Sequence, residues 1–306
     1  MSLDADALID RKRLKRRLGL WRALAILALV AVVVVAVGRV DGFGFLQKPH
    51  VARLTVSGVI TDDRRRDEAL ARVANDSNVA ALIVLINSPG GTVVGGETLY
   101  RSLQRVTAEK KPVVAVMGTL ATSGGYMAAL AADYILAREG TITGSIGVVL
   151  QTTDLTGLLS KLGISAEAIK SGPLKAVPSP FEPLSDEARE ATMAVVTDMY
   201  NMFIDMVVER RKLPREKVLK LADGRVYTGR QAAANGLIDG TGGEEEARQW
   251  LEEERDILKS LPVRDVRIKR GAVGWLKLVG RLTGITLFSE RRTLDGLVSL
   301  WHPESR

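Results

Sequence analysis

The chain has 306 residues, of which 46% are hydrophobic, 26% charged and 5% aromatic. This composition excludes a disordered or fibrous protein and allows either two domains or one large α/β domain with appendages. The formal charge of +7 lies at the ends, because residues 1–22 carry +4 (seven basic, three acidic) and residues 263–306 carry +5 (nine basic, four acidic). Residues 23–262 therefore sum to −2, so a basic nucleic-acid groove is not expected there.

The N-terminus has a basic leader followed by an apolar run. Six Lys or Arg residues lie between Arg11 and Arg17, and the apolar run spans Ala23 to Gly38. As a helix this run is about 24 Å long, and residues 18–22 extend it toward the roughly 30 Å hydrocarbon core of a bilayer. We predict a cytoplasmic leader over 1–22, a single transmembrane helix over 23–40 and a linker over 41–50, with the rest of the chain exported.

Two other interpretations of the apolar run stay open. It is also compatible with a signal peptide that is cleaved after Ala36-Val37-Gly38. A buried core helix is the third interpretation, although the charge on one side only of the run does not favour it.

From Val51 onward, predicted strands alternate with predicted helices. The continuous apolar runs Ala80–Ile86 and Lys111–Met117 are typical of buried parallel strands. A long helix over Ser185–Lys212 begins at a capping serine and ends before a proline. The alternation predicts an α/β fold with a mainly parallel sheet. The other predicted strands are Val51–Ile60, Tyr134–Ala137 and Ile164–Ala168, and the other predicted helices are Asp67–Ala74, Gly95–Val106, Gly124–Ala132 and Glu244–Lys259.

A glycine-rich turn, Asn87-Ser88-Pro89-Gly90-Gly91, directly follows a buried strand. It is not a phosphate-binding P-loop, because Glu97 stands where that motif has lysine. Backbone N–H groups in such a turn can approach a ligand closely, as an oxyanion hole requires. A tight turn that only needs positive φ explains the same pattern equally well.

The segment Thr122-Ser123-Gly124-Gly125-Tyr126 forms a predicted junction between a strand and a helix. Here the Ser123 hydroxyl can act as a nucleophile, with the Gly124 N–H directed at a bound carbonyl oxygen. Ser is also a favoured helix N-cap, and the pattern by itself favours that role.

A serine nucleophile needs a base, and histidine is a poor candidate in this chain. There is no Cys, and the two His residues, His50 and His302, lie near opposite ends. A lysine can serve if burial keeps it neutral, which requires its pKa to fall by about three units from 10.4. Lys175 has no acidic residue nearer in sequence than Glu182. A surface loop is, however, the usual place for a lysine.

Two other lysine positions are candidates for the base. Lys170 lies five residues before Lys175 and competes with it for the same role. The pair Lys110-Lys111 follows Glu109 and is expected to stay solvated and charged.

Taken together, these motifs resemble the signal peptide peptidase A (protease IV) family over roughly residues 51–246. The NSPGG turn, the TSGGY junction and the lysine 52 residues after Ser123 appear in the order of that family. The resemblance extends to three further motifs: Gly144-Ser145-Ile146-Gly147, the run Asp223–Gly229 and the run Ala234–Asp239.

The resemblance implies a Clp protease/crotonase-like fold of stacked β-β-α units, with Ser123 as nucleophile and Lys175 as general base. Gly90 and Gly124 are the implied oxyanion-hole donors, Ser88 and Ser145 have structural roles, and no metal or other cofactor is expected. The implied peptidase domain covers residues 51–260. Family members form rings in which serine and lysine can come from neighbouring protomers.

The implied protein is a serine endopeptidase of the bacterial inner membrane, with its catalytic domain on the periplasmic side. Its implied substrates are signal peptide remnants and other apolar unfolded peptides. The basic C-terminal extension, residues 261–306, matches no feature of the family. Its apolar part, Trp275–Leu287, can rest on a membrane, pack on a neighbouring subunit or form a packed helix.

Two alternative functions are compatible with parts of this pattern. A crotonase-type enzyme acting on acyl-CoA shares the paired oxyanion donors, but no carboxylate flanks Ser123. A non-catalytic membrane scaffold that captures peptides gains weight if Lys175 is charged and exposed.

Overall fold

The computed structural model describes residue 15 and residues 17–32, 48–268 and 297–300. The chain divides into two compact units, Met1–Lys48 and Pro49–Arg306. In the first unit, residues 17–32 form helix α1, and every residue of this helix is exposed. The second half of the predicted anchor, residues 33–40, lies outside the described residues, so the anchor remains a prediction.

The second unit alternates strands and helices, as the sequence predicts. Its strands are β1 (His50–Ser57), β2 (Val79–Ser88), β3 (Gly90–Thr92), β4 (Val113–Thr122), β5 (Tyr134–Ala137), β6 (Ile142–Gly144), β7 (Val149–Leu150), β8 (Val226–Thr228), β9 (Gly240–Thr241), β10 (Val263–Asp265) and β11 (Leu297–Leu300). Its helices are α2 (Arg64–Asn75), α3 (Val93–Ala108), α4 (Gly124–Ala129), α5 (Thr156–Lys161), α6 (Asp186–Arg211), α7 (Arg215–Leu221), α8 (Gly229–Asn235) and α9 (Glu244–Arg255).

The larger sheet is mixed but mostly parallel. Its strand order is β10-β1-β2-β4-β5-β9, and β6 pairs with β4 and with β8. Among the described pairs in this sheet, β6 with β8 is antiparallel and the others are parallel. The central strands β2 and β4 are almost entirely buried, because helices cover both faces. Side chains of α2, α3, α4 and α6 pack on one face, and α9 packs on the other.

The predicted strand over Ile164–Ala168 is wrong. Helix α5 ends at Lys161, and residues 162–170 form turns and irregular structure. Ile164 and Ile169 are exposed, Ile169 completely. The apolar residues of this segment have no neighbouring strand with which to pair, so β propensity alone does not produce a strand.

The long helix predicted around residues 185–212 is confirmed. Ser185 caps α6 by accepting a hydrogen bond from the Ala188 N–H, and Lys212 ends the helix in the left-handed conformation. Among the described helices, α6 is also the one long and apolar enough to span a bilayer, but its second half packs into the core through Phe203, Ile204 and Val207.

The sheet continues past residue 260. Strand β10 pairs in parallel with β1, and Val266 and Ile268 pack against the core. Strand β11 belongs to a separate three-stranded sheet, in which it lies between β3 and β7 and is antiparallel to both.

The guanidinium of Arg210 joins α6 to the end of α4. Its Nε donates to the carbonyl of Leu130 at 2.7 Å and its Nη2 to the carbonyl of Ala132 at 2.9 Å. We predict that Arg210→Met lowers the free energy of unfolding by about 2 kcal/mol, because charged hydrogen bonds to buried carbonyls are lost. Denaturant unfolding measures this, with Arg189→Met on the exposed face of the same helix as control. Equal losses in the two variants would contradict the prediction.

Candidate active site

The two glycine motifs meet at one edge of the larger sheet. Strand β2 ends at Ser88 and β4 at Thr122, and the parallel ladder places Ser88 opposite Ala121. The segments that follow the two strands therefore adjoin. A Cβ atom added at Gly125 would lie only 3.0 Å from the Ser88 carbonyl oxygen, and α4 contacts β3.

Ser123 is buried in a strained backbone conformation between β4 and α4. It is 1% exposed, with φ 55° and ψ −119°, a region that residues with a side chain rarely adopt. Its side chain makes no capping hydrogen bond to α4. The capping residue Ser185, by contrast, has an extended backbone and does make one. The interpretation of Ser123 as an ordinary N-cap is therefore wrong.

The motif around Gly144 holds the Ser123 backbone in place. The Ser123 N–H donates to the Gly144 carbonyl at 2.8 Å, and the Ser123 carbonyl accepts the Met127 N–H at 2.8 Å. Strand β6 pairs Gly144 with Thr122 on one side and Val226 on the other. Since two strands hold Gly144, its carbonyl can enforce the strained backbone of Ser123.

The Tyr227 ring packs against Gly144 and requires glycine there. A Cβ at Gly144 would lie 2.7 Å from Cδ2 of Tyr227, and the φ of Gly144 is +83°. The Ser145 N–H donates to the Arg225 carbonyl at 2.8 Å. The motifs at residues 144–147 and 223–229 therefore fix the Gly144 carbonyl that accepts the Ser123 N–H. The sequence spacing does not reveal this role of Gly144.

The hydroxyl of Ser88 fixes the glycine turn. Its Oγ donates to the Gly58 carbonyl at 2.6 Å and accepts the Gly90 N–H at 3.1 Å. Ser88 thus has the structural role expected from the sequence. The Gly90 N–H, in contrast to the prediction, is occupied by this contact inside the turn.

The neighbouring glycine, Gly91, directs its N–H to the other side of β3. The Ile60 N–H donates to Gly90 O and the Thr92 N–H donates to Ile60 O, so both neighbours of Gly91 bond toward Ile60. Successive N–H groups of a strand point in opposite directions. The Gly91 N–H therefore faces away from Ile60, toward Ser299 of β11. The sequence does not reveal which of the two adjacent glycines directs its N–H to the side of β3 away from Ile60.

Gly124 is the first residue of α4, directly after Ser123. The N–H of a first helical residue has no acceptor within its own helix. Gly124, directly after Ser123, and Gly91, in the adjoining glycine turn, thus both offer N–H groups near Ser123. This arrangement suits the stabilisation of a developing oxyanion.

Lys175 is exposed, whereas Ser123 is buried. The lysine lies in an exposed loop, where its backbone N–H donates to the Gly172 carbonyl at 3.1 Å. Between these two described residues there is no hydrogen bond. This exposure of Lys175 is one part of the condition under which a non-catalytic scaffold gains weight.

Two of the other candidate lysines, Lys170 and Lys111, contact groups other than Ser123. Lys170, the rival of Lys175, forms an ion pair with Glu182. Lys111 is half-buried rather than solvated as predicted, since its Nζ donates to the carbonyls of Val73 (2.7 Å) and Asp76 (2.5 Å). Burial lowers the pKa of Lys111. Its partners place it at the start of β4, far from Ser123.

Histidine and metal chemistry find no support in the described residues. His50 pairs with Val79 at the start of β2, whereas Ser123 follows the end of β4. A ten-residue strand separates these two edges of the sheet, a distance of about 30 Å. Across the described residues, no three His, Cys, Asp or Glu side chains lie close enough to hold a metal ion.

The strain at Ser123 can be tested by stability alone. We predict that Ser123→Gly is more stable than Ser123→Ala by about 1 kcal/mol, because glycine adopts this backbone conformation without strain. Denaturant unfolding of the two variants measures the difference. A more stable alanine variant would show that the conformation is not strained.

Comparison with known proteins agrees with this site. Residues 105–258, about half of the chain, match the family model described as Peptidase family S49, and this range includes Ser123 and Lys175. A Synechocystis protein named as a protease is 42% identical over 204 residues, which are 66% of this chain and 73% of that one. An Enterococcus faecium protein named as signal peptide peptidase SppA is 32% identical over 220 residues, which are 68% of this chain and 64% of that one.

Among solved structures, a mutant ClpP1 from Listeria monocytogenes matches 63% of this chain and 92% of its own, with a TM-score of 0.43 and 18% identity. The family is shown by the sequence matches, and the buried serine beside two glycine N–H groups is consistent with them. The chain belongs to peptidase family S49 and is a serine peptidase.

Proposed function

We propose that this chain is a membrane-anchored serine endopeptidase with a Ser123–Lys175 dyad and a Clp protease/crotonase-like arrangement of stacked β-β-α units. The observation that carries the proposal is the strained, buried Ser123, which directly precedes Gly124 and adjoins the glycine turn that contains Gly91. Gly91 replaces Gly90 in the oxyanion hole, because the Gly90 N–H is bonded to Ser88.

The reaction proceeds by acyl transfer. The neutral Lys175 amine accepts the Ser123 hydroxyl proton as Oγ attacks the peptide carbonyl, and the N–H groups of Gly91 and Gly124 stabilise the oxyanion. The lysine ammonium then donates its proton to the leaving amine, which leaves an acyl-enzyme. Lys175 next deprotonates a water molecule that hydrolyses the ester, and Ser123 recovers its proton.

The base comes from a neighbouring subunit of a homo-oligomeric ring. Lys175 lies in an arm (residues 149–185) in which no residue is buried in the single chain. The arm exposes several large apolar side chains, an arrangement typical of a protein interface. Packing this arm on a second copy would bury Lys175 next to apolar residues and so favour its neutral form. The exposed large apolar residues of the arm are Val149, Leu158, Leu162, Ile164, Ile169, Leu174 and Phe181.

The substrates are apolar remnants of signal peptides and other unfolded peptides near a membrane. An extended peptide can pair with β3, since the Gly91 N–H faces the side of β3 away from Ile60. The name of the Enterococcus relative supports signal peptides as the substrate class. Cleavage of a chain paired through its backbone tolerates many sequences, which suits a peptidase that degrades varied remnants.

The N-terminal helix supports anchoring in the membrane. The described part of α1 exposes large apolar side chains, including Leu20, Trp21 and Leu27. The basic leader, residues 1–22, keeps the N-terminus in the cytoplasm, so the peptidase domain lies on the periplasmic side of a bacterial inner membrane.

The dyad is tested by single substitutions. We predict that Ser123→Ala and Lys175→Ala each lower kcat on an apolar peptide by about a thousandfold or more, because nucleophile and base act as one unit. Lys161→Ala, which changes another exposed lysine of the arm, is the control and keeps its activity. Peptidase activity that persists in both the Ser123→Ala and the Lys175→Ala variant would contradict the proposed mechanism.

The origin of the lysine is tested by mixing subunits. When the Ser123→Ala and Lys175→Ala chains are co-expressed in equal amounts, a dyad shared between neighbours restores about one quarter of wild-type activity, since one pairing in four has both groups. Activity of the purified mixed oligomer measures this. A mixture as inactive as its parents would place serine and lysine in the same chain.

A further inference from the structure

Strand β11 occupies the side of β3 on which the oxyanion-hole donor lies. Its backbone pairs Val298 with Thr92, Ser299 with Gly91 and Leu300 with Gly90. On its other side it pairs Leu297 with Leu150 and Val298 with Val149 of β7. A four-residue segment from the C-terminal end of the chain is thus the middle strand of an antiparallel sheet beside the active site.

The register of β11 shows which of its backbone groups face the N–H groups of β3. Gly90 and Thr92 direct their N–H groups to Ser88 and Ile60. In an antiparallel ladder, hydrogen-bonded and non-bonded pairs alternate. Gly91 with Ser299 is therefore the hydrogen-bonded pair, and the Ser299 carbonyl faces the Gly91 N–H, the group we assign to the oxyanion hole.

The C-terminal segment can reach this place from the end of the sheet. Strand β10 ends at Asp265 and β11 begins at Leu297, so 31 residues (266–296) connect them. A chain of this length spans up to about 100 Å. A tethered strand has an effective concentration in the millimolar range. It can therefore occupy the cleft in competition with free peptides that are present at lower concentration.

We infer that residues 297–300 bind as a pseudo-substrate in the peptide cleft between β3 and β7 and compete with peptide substrates. The inference rests on the proposed function in one respect, namely that this cleft is where substrates bind. Two strands contact the segment through their backbones, so the cleft takes an extended peptide by strand addition on both edges.

A proline placed in β11 tests the competition. Ser299→Pro removes the N–H that pairs with Gly91, whereas Ser289→Pro makes the same change in the tail outside β11 and serves as control. In the purified full-length chain, Ser299→Pro lowers the KM for an apolar peptide about tenfold with kcat unchanged, because the tethered competitor is released. Mass spectrometry checks that residues 297–306 are present. An equal KM in all three proteins would overturn the inference.

A binding measurement separates this inference from the proposed function. A fluorescent synthetic peptide with the sequence of residues 294–303 is titrated into Ser123→Ala chains with and without Ser299→Pro, and binding is followed by anisotropy. Tighter binding to the double variant, by about tenfold, supports a cleft that β11 otherwise fills. Equal binding overturns the inference. If no protein hydrolyses peptides, the proposed function fails, while this titration still decides the role of β11.

Discussion

The register between the parallel strands β2 and β4 is the constraint on which the active site depends. It places Ser88 opposite Ala121, so the glycine turn and Ser123 leave the sheet side by side. A slip of one residue would move every side chain of β4 to the opposite face. That slip is costly, because both strands are buried on both faces. The core therefore holds Ser123 beside the glycine turn, as the proposed mechanism requires.

The proposed nucleophile and the proposed base lie in differently buried parts of the chain. Ser123 and the glycine turn directly follow strands of the core sheet. The Gly144 carbonyl accepts the Ser123 N–H, the Met127 N–H donates to the Ser123 carbonyl, and the Ser88 hydroxyl accepts the Gly90 N–H. Lys175 lies in an arm without a buried residue. In the proposed mechanism, assembly completes the site, because a lysine is neutral only where water and carboxylates are excluded. A single chain would then be inactive, which would protect the cell before assembly.

Recognition through backbone groups explains how one cleft can serve both substrate and tail. Strands β3 and β7 present edges that bond to any extended chain, regardless of its sequence. An unpaired edge is also a risk for aggregation. A tethered segment such as β11 covers these edges until a peptide replaces it, so a single feature of the fold limits both activity and unwanted association.

The sequence determined most of the fold, because its signals are local. Apolar runs of strand length predicted β2 and β4. The capping Ser185 predicted the start of α6, and Pro214 predicted its end. The strand expected at Ile164–Ala168 failed, because a strand also needs a partner edge that no local pattern reveals. The motifs around Ser123 pointed to the nucleophile, although the serine alone also fitted an N-cap.

What only the tertiary structure decided concerns direction and contact. Adjacent glycines look alike in sequence. The hydrogen bonds that Gly90 and Thr92 make with Ser88 and Ile60 are needed to show that the N–H of Gly91, and not that of Gly90, faces the cleft. The strain at Ser123, the support from Gly144 and the exposure of Lys175 likewise arise from residues distant along the chain. Sequence patterns record the chemistry of each side chain, whereas the direction of a backbone N–H is set by the partners that the fold brings to it.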